Sequence, residues 1–258
     1  MCGIFGILNF DNKKININEL KYYTRSLNHR GPDGEGFYID NENNLGLGHT
    51  RTSIFDISDL GKQPMSYNNE NFWITYNGEI YNFIELKKEL ISLGYNFKSE
   101  TDTEVILAAY TEWGEDCQFK FNGDWAFAIW NKKKKKLFLS CDRFGSKSLY
   151  YYLKNNSFIF ASELKTFMYL KSELKPDIDY GFLLWLNKAT GSSNTFLKNV
   201  ISLNGGHQLN IDLNKKLKVY KWWRTIDNLV DIPKEYEEQK LHFRDLFFNA
   251  CKIRLRSD

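Results

Sequence analysis

The chain begins Met-Cys-Gly-Ile-Phe-Gly, with a cysteine at position 2. A thiol of ordinary acidity is only a few per cent thiolate at neutral pH, so a nucleophilic cysteine needs a base beside it or a lowered pKa. Removal of Met1 would give Cys2 a thiol and an α-amino group of reference pKa about 7.7–8.0, a base carried by the nucleophile itself. Gly3 and Gly6 remove side chains nearby and would let a substrate reach the backbone closely. Position alone leaves a second reading open, in which Met1 is retained and Cys2 is a small apolar residue starting an edge strand.

The rest of the chain has to position that thiol. Its 258 residues suffice for one large domain, or for one domain and the start of a second. Hydrophobic residues make up 42% and charged residues 26%, which predicts a sizeable core. Net charge is only +3 and the basic residues are dispersed, which argues against a nucleic-acid partner. The densest basic run, NKKKKKLFL, lies between apolar stretches and reads as a lysine-rich turn between strands. Cys2, Cys117, Cys141 and Cys251 have no metal-ligand spacing, no signal peptide precedes them, and no apolar run approaches the roughly 20 residues that cross a bilayer. These features predict free thiols, a reducing cytoplasmic location, no membrane association and no metal site.

Short aromatic and β-branched strands dominate: GIFGILNF, GLGHTRTSIFD, NFWITYNGEIY, WAFAIW, KLFLSCD, SLYYYL and FIFAS. Short polar turns between neighbours favour antiparallel sheets in an α+β fold. One helix is expected through NFIELKKELISLGY, capped by Asn82 with Glu85 three residues on and stopped by Gly94. Another is expected through TDTEVILAAYTEWG, with Thr101 and Glu104 in capping-box spacing and Gly114 as the stop, and an earlier one near Asn18. After the hairpin HQLNIDLNKKLKVYKWW, Pro233 suits a first helical turn, and Phe243, Leu246, Phe247, Ala250 and Ile253 share one stripe. Such a helix would dock on the preceding domain or begin another one.

In order along the chain, MCGIFG, NHRGPDGEG, GHTRTSIFD, YNGEIYN, TDTE, FAIW, DRFGSKSLYYY and FASELK resemble the class II glutamine amidotransferase domain of glutamine-hydrolysing asparagine synthetases. The resemblance spans about residues 2 to 223. It implies an N-terminal nucleophile hydrolase fold, a four-layer αββα sandwich of two antiparallel sheets flanked by helices. It also implies that Cys2 attacks the side-chain amide of glutamine and forms a thioester. Asn77 and the backbone of Gly78 would form the oxyanion hole, which suits the chemistry because both are neutral donors. Arg51 would take the α-carboxylate of glutamine with its fork of donors, while Asp102, helped by Glu79, would hold the α-ammonium and Ile54 would complete the substrate site.

Each residue also has an ordinary structural role open to it. Asp102 would suit a helix N-terminus without any ligand, Arg51 a surface ion pair, and Asn77-Gly78 a type I′ hairpin turn. Taken singly these alternatives stand; the ordered set with Cys2 favours the site. The resemblance gives no histidine the role of base, so His29 reads as a loop residue and His49 as a packing or hydrogen-bonding residue beside Arg51. Asp142, Arg143, Gly145 and Lys147 match segments that build the face toward the synthetase domain. Ser148 stands where the family commonly has proline, and Thr52 where it usually has leucine.

The expected organisation is an amidotransferase domain over residues 2–228, with 229–258 as the first helix of a synthetase domain. In the family, the stretch ending RLRSD leads into a phosphate loop, so ATP and Mg would belong to that further domain, with no cofactor in this chain. The expected function is glutamine hydrolysis supplying ammonia for amidation of aspartate. The alternatives are another acceptor, such as a sugar carboxylate in surface polysaccharide synthesis, or a non-catalytic docking domain. Glutamine and a synthetase domain, in cis or in trans, are the expected partners, and a homodimer stays open.

Overall fold

A computed structural model describes all residues except 12, 55, 57, 155, 169, 171–173, 186–191 and 257–258. Its strands are β1 Gly3–Asn9, β2 Gly34–Asp40, β3 Leu45–Arg51, β4 Met65–Tyr67, β5 Phe72–Ile80, β6 Gly123–Asn131, β7 Lys136–Cys141, β8 Tyr150–Lys154, β9 Ser157–Ala161, β10 Val200–Ser202, β11 His207–Asp212 and β12 Leu217–Lys221. Its helices are α1 Ile17–Arg25, α2 Phe83–Ser92, α3 Asp102–Trp113, α4 Cys117–Lys120, α5 Leu164–Met168, α6 Ile178–Trp185 and α7 Tyr236–Arg254. The strands form two six-stranded sheets, ordered β10-β8-β9-β1-β3-β2 and β12-β11-β7-β6-β5-β4. Pairing within both sheets is antiparallel.

The layering follows from strand alternation, because successive side chains point to opposite faces. On β1, Ile4 and Leu8 face the second sheet while Phe5 and Ile7 face the layer of α1 and α5. On β6, Ala126, Ala128 and Trp130 face the first sheet, whereas Trp125, Phe127 and Ile129 pack with Leu86 and Leu90 of α2 and Val105 and Ile106 of α3. Both sheets are therefore covered on both faces, and three apolar layers separate four layers of structure. This is the expected αββα sandwich. Truncating Trp125 or Phe160, both fully buried, to alanine is expected to cost about 3–5 kcal/mol, read from a denaturant melt.

Several local expectations change. Cys2 does not start an edge strand, since β1 runs between β9 and β3 inside its sheet. The space above Gly3 and Gly6 is not open to a ligand: a Cβ at Gly3 would lie 2.7 Å from that of Leu27, and one at Gly6 would lie 2.2 Å from the Phe160 ring. Those glycines admit core side chains. Asn77-Gly78 makes no turn, because it sits inside β5 paired with Ala126 and Trp125 of β6. Asn82 precedes α2, but its side chain bridges to Lys120 and Asn122 instead of capping the helix. Thr101 does cap α3, accepting the Glu104 N–H at 3.2 Å, whereas the Glu104 carboxylate turns to the amides of Lys98 and Ser99. Pro233 lies ahead of α7, whose cap position is Glu235. Along α7, Phe243, Leu246 and Phe247 are exposed and only Ile253 is buried. Beyond it, Arg256 ties to both Glu85 carboxylate oxygens at 2.7 Å.

The lysine run forms the exposed turn between β6 and β7, and the four cysteines are free thiols. No helix among the described residues is long and apolar enough to cross a membrane.

Candidate active site

Cys2 stands just ahead of β1, where Gly3 pairs with Thr50 at the end of β3. The Thr52 N–H donates to its Sγ at 3.4 Å, and the thiol donates back to the Thr52 carbonyl at 3.6 Å. Arg30, in the HRG run, donates to the Cys2 carbonyl at 3.0 Å and to Glu163 at 2.9 Å. Glycine is required at 31 for that approach, since a Cβ there would lie 2.4 Å from the Thr50 carbonyl oxygen. Burial pushes the Cys2 thiol up, opposed by the Thr52 N–H, the positive N-terminus and Arg51. The thiol is thus mostly protonated at neutral pH, and nucleophilic chemistry needs a base.

The second sheet supplies the opposite wall. In an extended strand, amides two residues apart point the same way. The Tyr76 N–H donates to Gln63 Oε1 at 2.7 Å and the Ile80 N–H to Asp102 Oδ2 at 2.9 Å. The Gly78 N–H lies between these two and points to the same side, beyond the end of β4. A Cβ on Gly78 would fall 2.3 Å from the Asp124 carbonyl oxygen, so only glycine fits. Asn77 projects to the other face of β5, where its side chain is buried and its Nδ2 has no hydrogen-bond partner among the described residues. A buried amide donor left unpaired costs free energy unless a ligand meets it, so Asn77 is an exception that asks for one.

Asp102 opens α3 and is 4% exposed, accepting the Tyr76 hydroxyl at 2.7 Å as well as the Ile80 amide. Burial pushes its carboxyl up to about 6, against the pull of those two donors. It is therefore more than a helix-terminus charge. Arg51 ends β3 and donates to the carbonyls of Ser58 at 2.9 Å and of Asp56, which holds the guanidinium against those two residues. That contact explains Gly61, where a Cβ would meet Arg51 Nη2 at 2.1 Å.

All seven predicted residues, Cys2, Arg51, Ile54, Asn77, Gly78, Glu79 and Asp102, line one open pocket. Sequence reasoning missed Gly61, Gln63, Tyr76 and Thr103 in its wall. Tyr76 was within reach, being two residues before Gly78 on one strand; Gln63 comes from a loop with no periodic signal. Lys147 also lines the pocket. It follows a tight loop built on Asp142, which is fully buried and accepts the amides of Trp125, Phe144, Gly145, Ser146 and Lys147.

His49 is buried with Nε2 at 3.0 Å from the Tyr76 carbonyl, and burial pushes its ring down to about 3, so it stays neutral and links the two sheets. His29 contacts Glu163 and Lys165 at the surface. Among the described residues no cluster of three or more His, Cys, Asp or Glu could hold a metal ion.

The profile of the glutamine amidotransferase domain family matches residues 1–223. The chain belongs to that family. It is 40% identical, over its whole length, to a Methanocaldococcus jannaschii protein named as a glutamine-hydrolysing asparagine synthetase, and covers 53% of that protein. It is 33% identical over its whole length to asparagine synthetase 1 (glutamine-hydrolysing) of Bacillus subtilis, covering 40% of it. The chain thus spans about half, or less, of the length of these relatives. Among solved structures, the glutamine phosphoribosylpyrophosphate amidotransferase of B. subtilis superposes with a TM-score of 0.62 at 18% identity, over 86% of this chain and 49% of that one, which shows a shared fold.

Proposed function

We propose that Cys2, freed of Met1, hydrolyses the side-chain amide of glutamine, and that the ammonia serves an ATP-dependent amidation of aspartate in a longer protein. The observation that carries the reading is the buried, unpartnered Asn77 Nδ2 in the same pocket as a thiol at the chain's start. Met1 is 59% exposed and accessible for removal. The new α-amine takes the thiol proton as sulfur attacks the amide carbon, and the carbonyl oxygen becomes an oxyanion between Asn77 Nδ2 and the Gly78 N–H. The amine returns the proton to nitrogen as the C–N bond breaks, and ammonia leaves a thioester. Water then adds to the thioester carbon, giving glutamate and regenerating the thiol. Arg51 pairs with the substrate carboxylate, Asp102 and Glu79 with its ammonium, and Ile54 supplies an apolar wall.

The exposed stripe of α7 supports the start of a further domain after residue 228, which would carry ATP and Mg. Aspartate as acceptor rests on the names of the longer relatives. The test is glutamate release by this chain without ATP or acceptor, beside asparagine synthesis by the longer protein supplied with glutamine, aspartate, ATP and Mg; glutamate release with no asparagine formed would sink the aspartate reading.

Arg51→Lys is expected to raise KM for glutamine about 10- to 100-fold with little change in kcat, because one point charge replaces a bidentate pair. Steady-state kinetics decide it, and a fall in kcat alone would contradict it. Gly61→Ala is expected to act in the same direction, through displacement of the guanidinium.

Asp102 sets a second pH effect. Its carboxyl is charged only above about 6, so kcat/KM is expected to fall as pH drops through that value, as well as below the amine pKa near 8. For folding the sign is opposite. A carboxyl raised in the folded state stabilises below its unfolded pKa, and that stability is lost as pH rises through about 6. A pH profile of Asp102→Asn that kept the lower limb would remove the assignment.

A further inference from the structure

Thr52 touches the Cys2 thiol and the N-terminal ammonium of Met1. Its backbone N–H donates to Cys2 Sγ at 3.4 Å and its carbonyl accepts from the thiol at 3.6 Å. Its hydroxyl donates to the Arg30 carbonyl at 2.7 Å and accepts from the N-terminal ammonium at 3.2 Å. With the hydroxyl proton committed to Arg30, the remaining lone pairs are left to a donor. In the structure that donor is the Met1 ammonium.

We infer that Thr52 is a positioning residue for the terminal amine: after Met1 is removed, its hydroxyl accepts from the α-ammonium of Cys2, directly or through one water. This deepens the glutaminase reading and rests on it. The same residue then holds the thiol through its backbone and the amine through its side chain, so the proton passes between groups fixed to one support. The hydroxyl is an acceptor for the charged amine, so it favours the protonated form and raises the amine pKa.

Other charged groups face the same place. Arg30 comes from the loop after α1, with its Nη2 3.9 Å from Met1 Sδ, and Glu163 pairs with it from behind. Lys147 reaches Met1 Sδ at 3.8 Å from the loop after β7. Arg51, Glu79 and Asp102 line the pocket, and Asp33 binds the Ser53 N–H beside Thr52. The charges of these groups are the same in every Thr52 variant, while the Arg30 carbonyl loses its hydroxyl donor in the valine and alanine variants and keeps one in serine, which makes serine the control.

The test compares the processed parent with Thr52→Val, Thr52→Ala and Thr52→Ser. Two quantities are read: the pH dependence of reductive methylation of the Cys2 α-amine, followed by mass, and the acid limb of kcat/KM for glutamine. Valine and alanine are expected to move the amine pKa and the acid limb down by about half a unit to one unit, while serine restores both toward the parent. An unmoved amine pKa in the two variants lacking a hydroxyl, or a serine variant displaced as far as they are, would overturn the assignment. The labelling needs no turnover, so an inactive parent with a normal labelling shift would count against the glutaminase reading and not against Thr52. The pair of hydroxyl-free variants keeps the test intact if valine does not fold.

Discussion

Cys2→Ala is expected to lower glutamate release from glutamine by about a thousandfold or more, while the folded state and glutamine binding survive. The size follows from covalent catalysis: a reaction split into two easier steps returns to direct attack by water, with the oxyanion donors still in place. The fold should persist because the thiol is only partly buried and makes two long hydrogen bonds to Thr52. Far-ultraviolet circular dichroism and a thermal melt establish folding, and calorimetric titration with glutamine establishes binding. Turnover in the folded variant within tenfold of the parent would mean that another group attacks the amide. Cys117 and Cys141 offer no substitute, since both thiols are buried in the core and pushed up strongly by burial.

Asn77→Ala is the second large effect, with kcat expected to fall about 100- to 1,000-fold and KM to change little. The Nδ2 of Asn77 has no partner among the described residues, so its removal leaves no donor or acceptor there newly orphaned by that atom. Loss of fold stability should therefore be small beside the loss of rate, which separates a donor held for substrate from an ordinary core hydrogen bond. Asn77→Asp gives an independent reading, because it puts a negative charge where the oxyanion forms and should be at least as damaging. Stopped or steady-state assays of glutamate release give kcat, and a denaturant melt gives stability. A variant that lost several kcal/mol of stability but kept its kcat would make Asn77 a structural residue.

Much of this was legible in the sequence because its signals are local. Runs of aromatic and β-branched residues marked β1 and β6, and both faces of β6 are apolar because both are covered, by β1's sheet and by α2 and α3. Thr101 and Gly114 bounded α3 through short-range hydrogen bonds and a positive φ of 60° at Gly114. Asn77-Gly78 shows where local signals fail. The pair has strong turn chemistry, but the nine-residue pairing of β5 with β6 overrides it, and the glycine is needed for close approach to the Asp124 carbonyl. Asn82 and Glu104 likewise had the right spacing for capping, yet the distant Asn122 took the Asn82 side chain and the preceding amides of Lys98 and Ser99 took that of Glu104. The site residues could be named from the resemblance, but not the loop that fixes Arg51, because Ser58 and Gly61 act through a carbonyl and a missing Cβ that leave no periodic trace.

The ion pair of Arg256 with Glu85 ties the residues after α7 to α2, and Phe243, Leu246 and Phe247 of α7 stay exposed.

The most direct measurement of the central claim is the mass of the N-terminal peptide after the chain is mixed with glutamine and quenched in acid during turnover. The account predicts a peptide that begins at Cys2, with Met1 absent, and carries one glutamyl group in a linkage cleaved by hydroxylamine. Glutamate accumulating while that peptide keeps Met1, or while the Cys2 thiol stays unmodified at every quench time and the glutamyl group appears elsewhere, would contradict it.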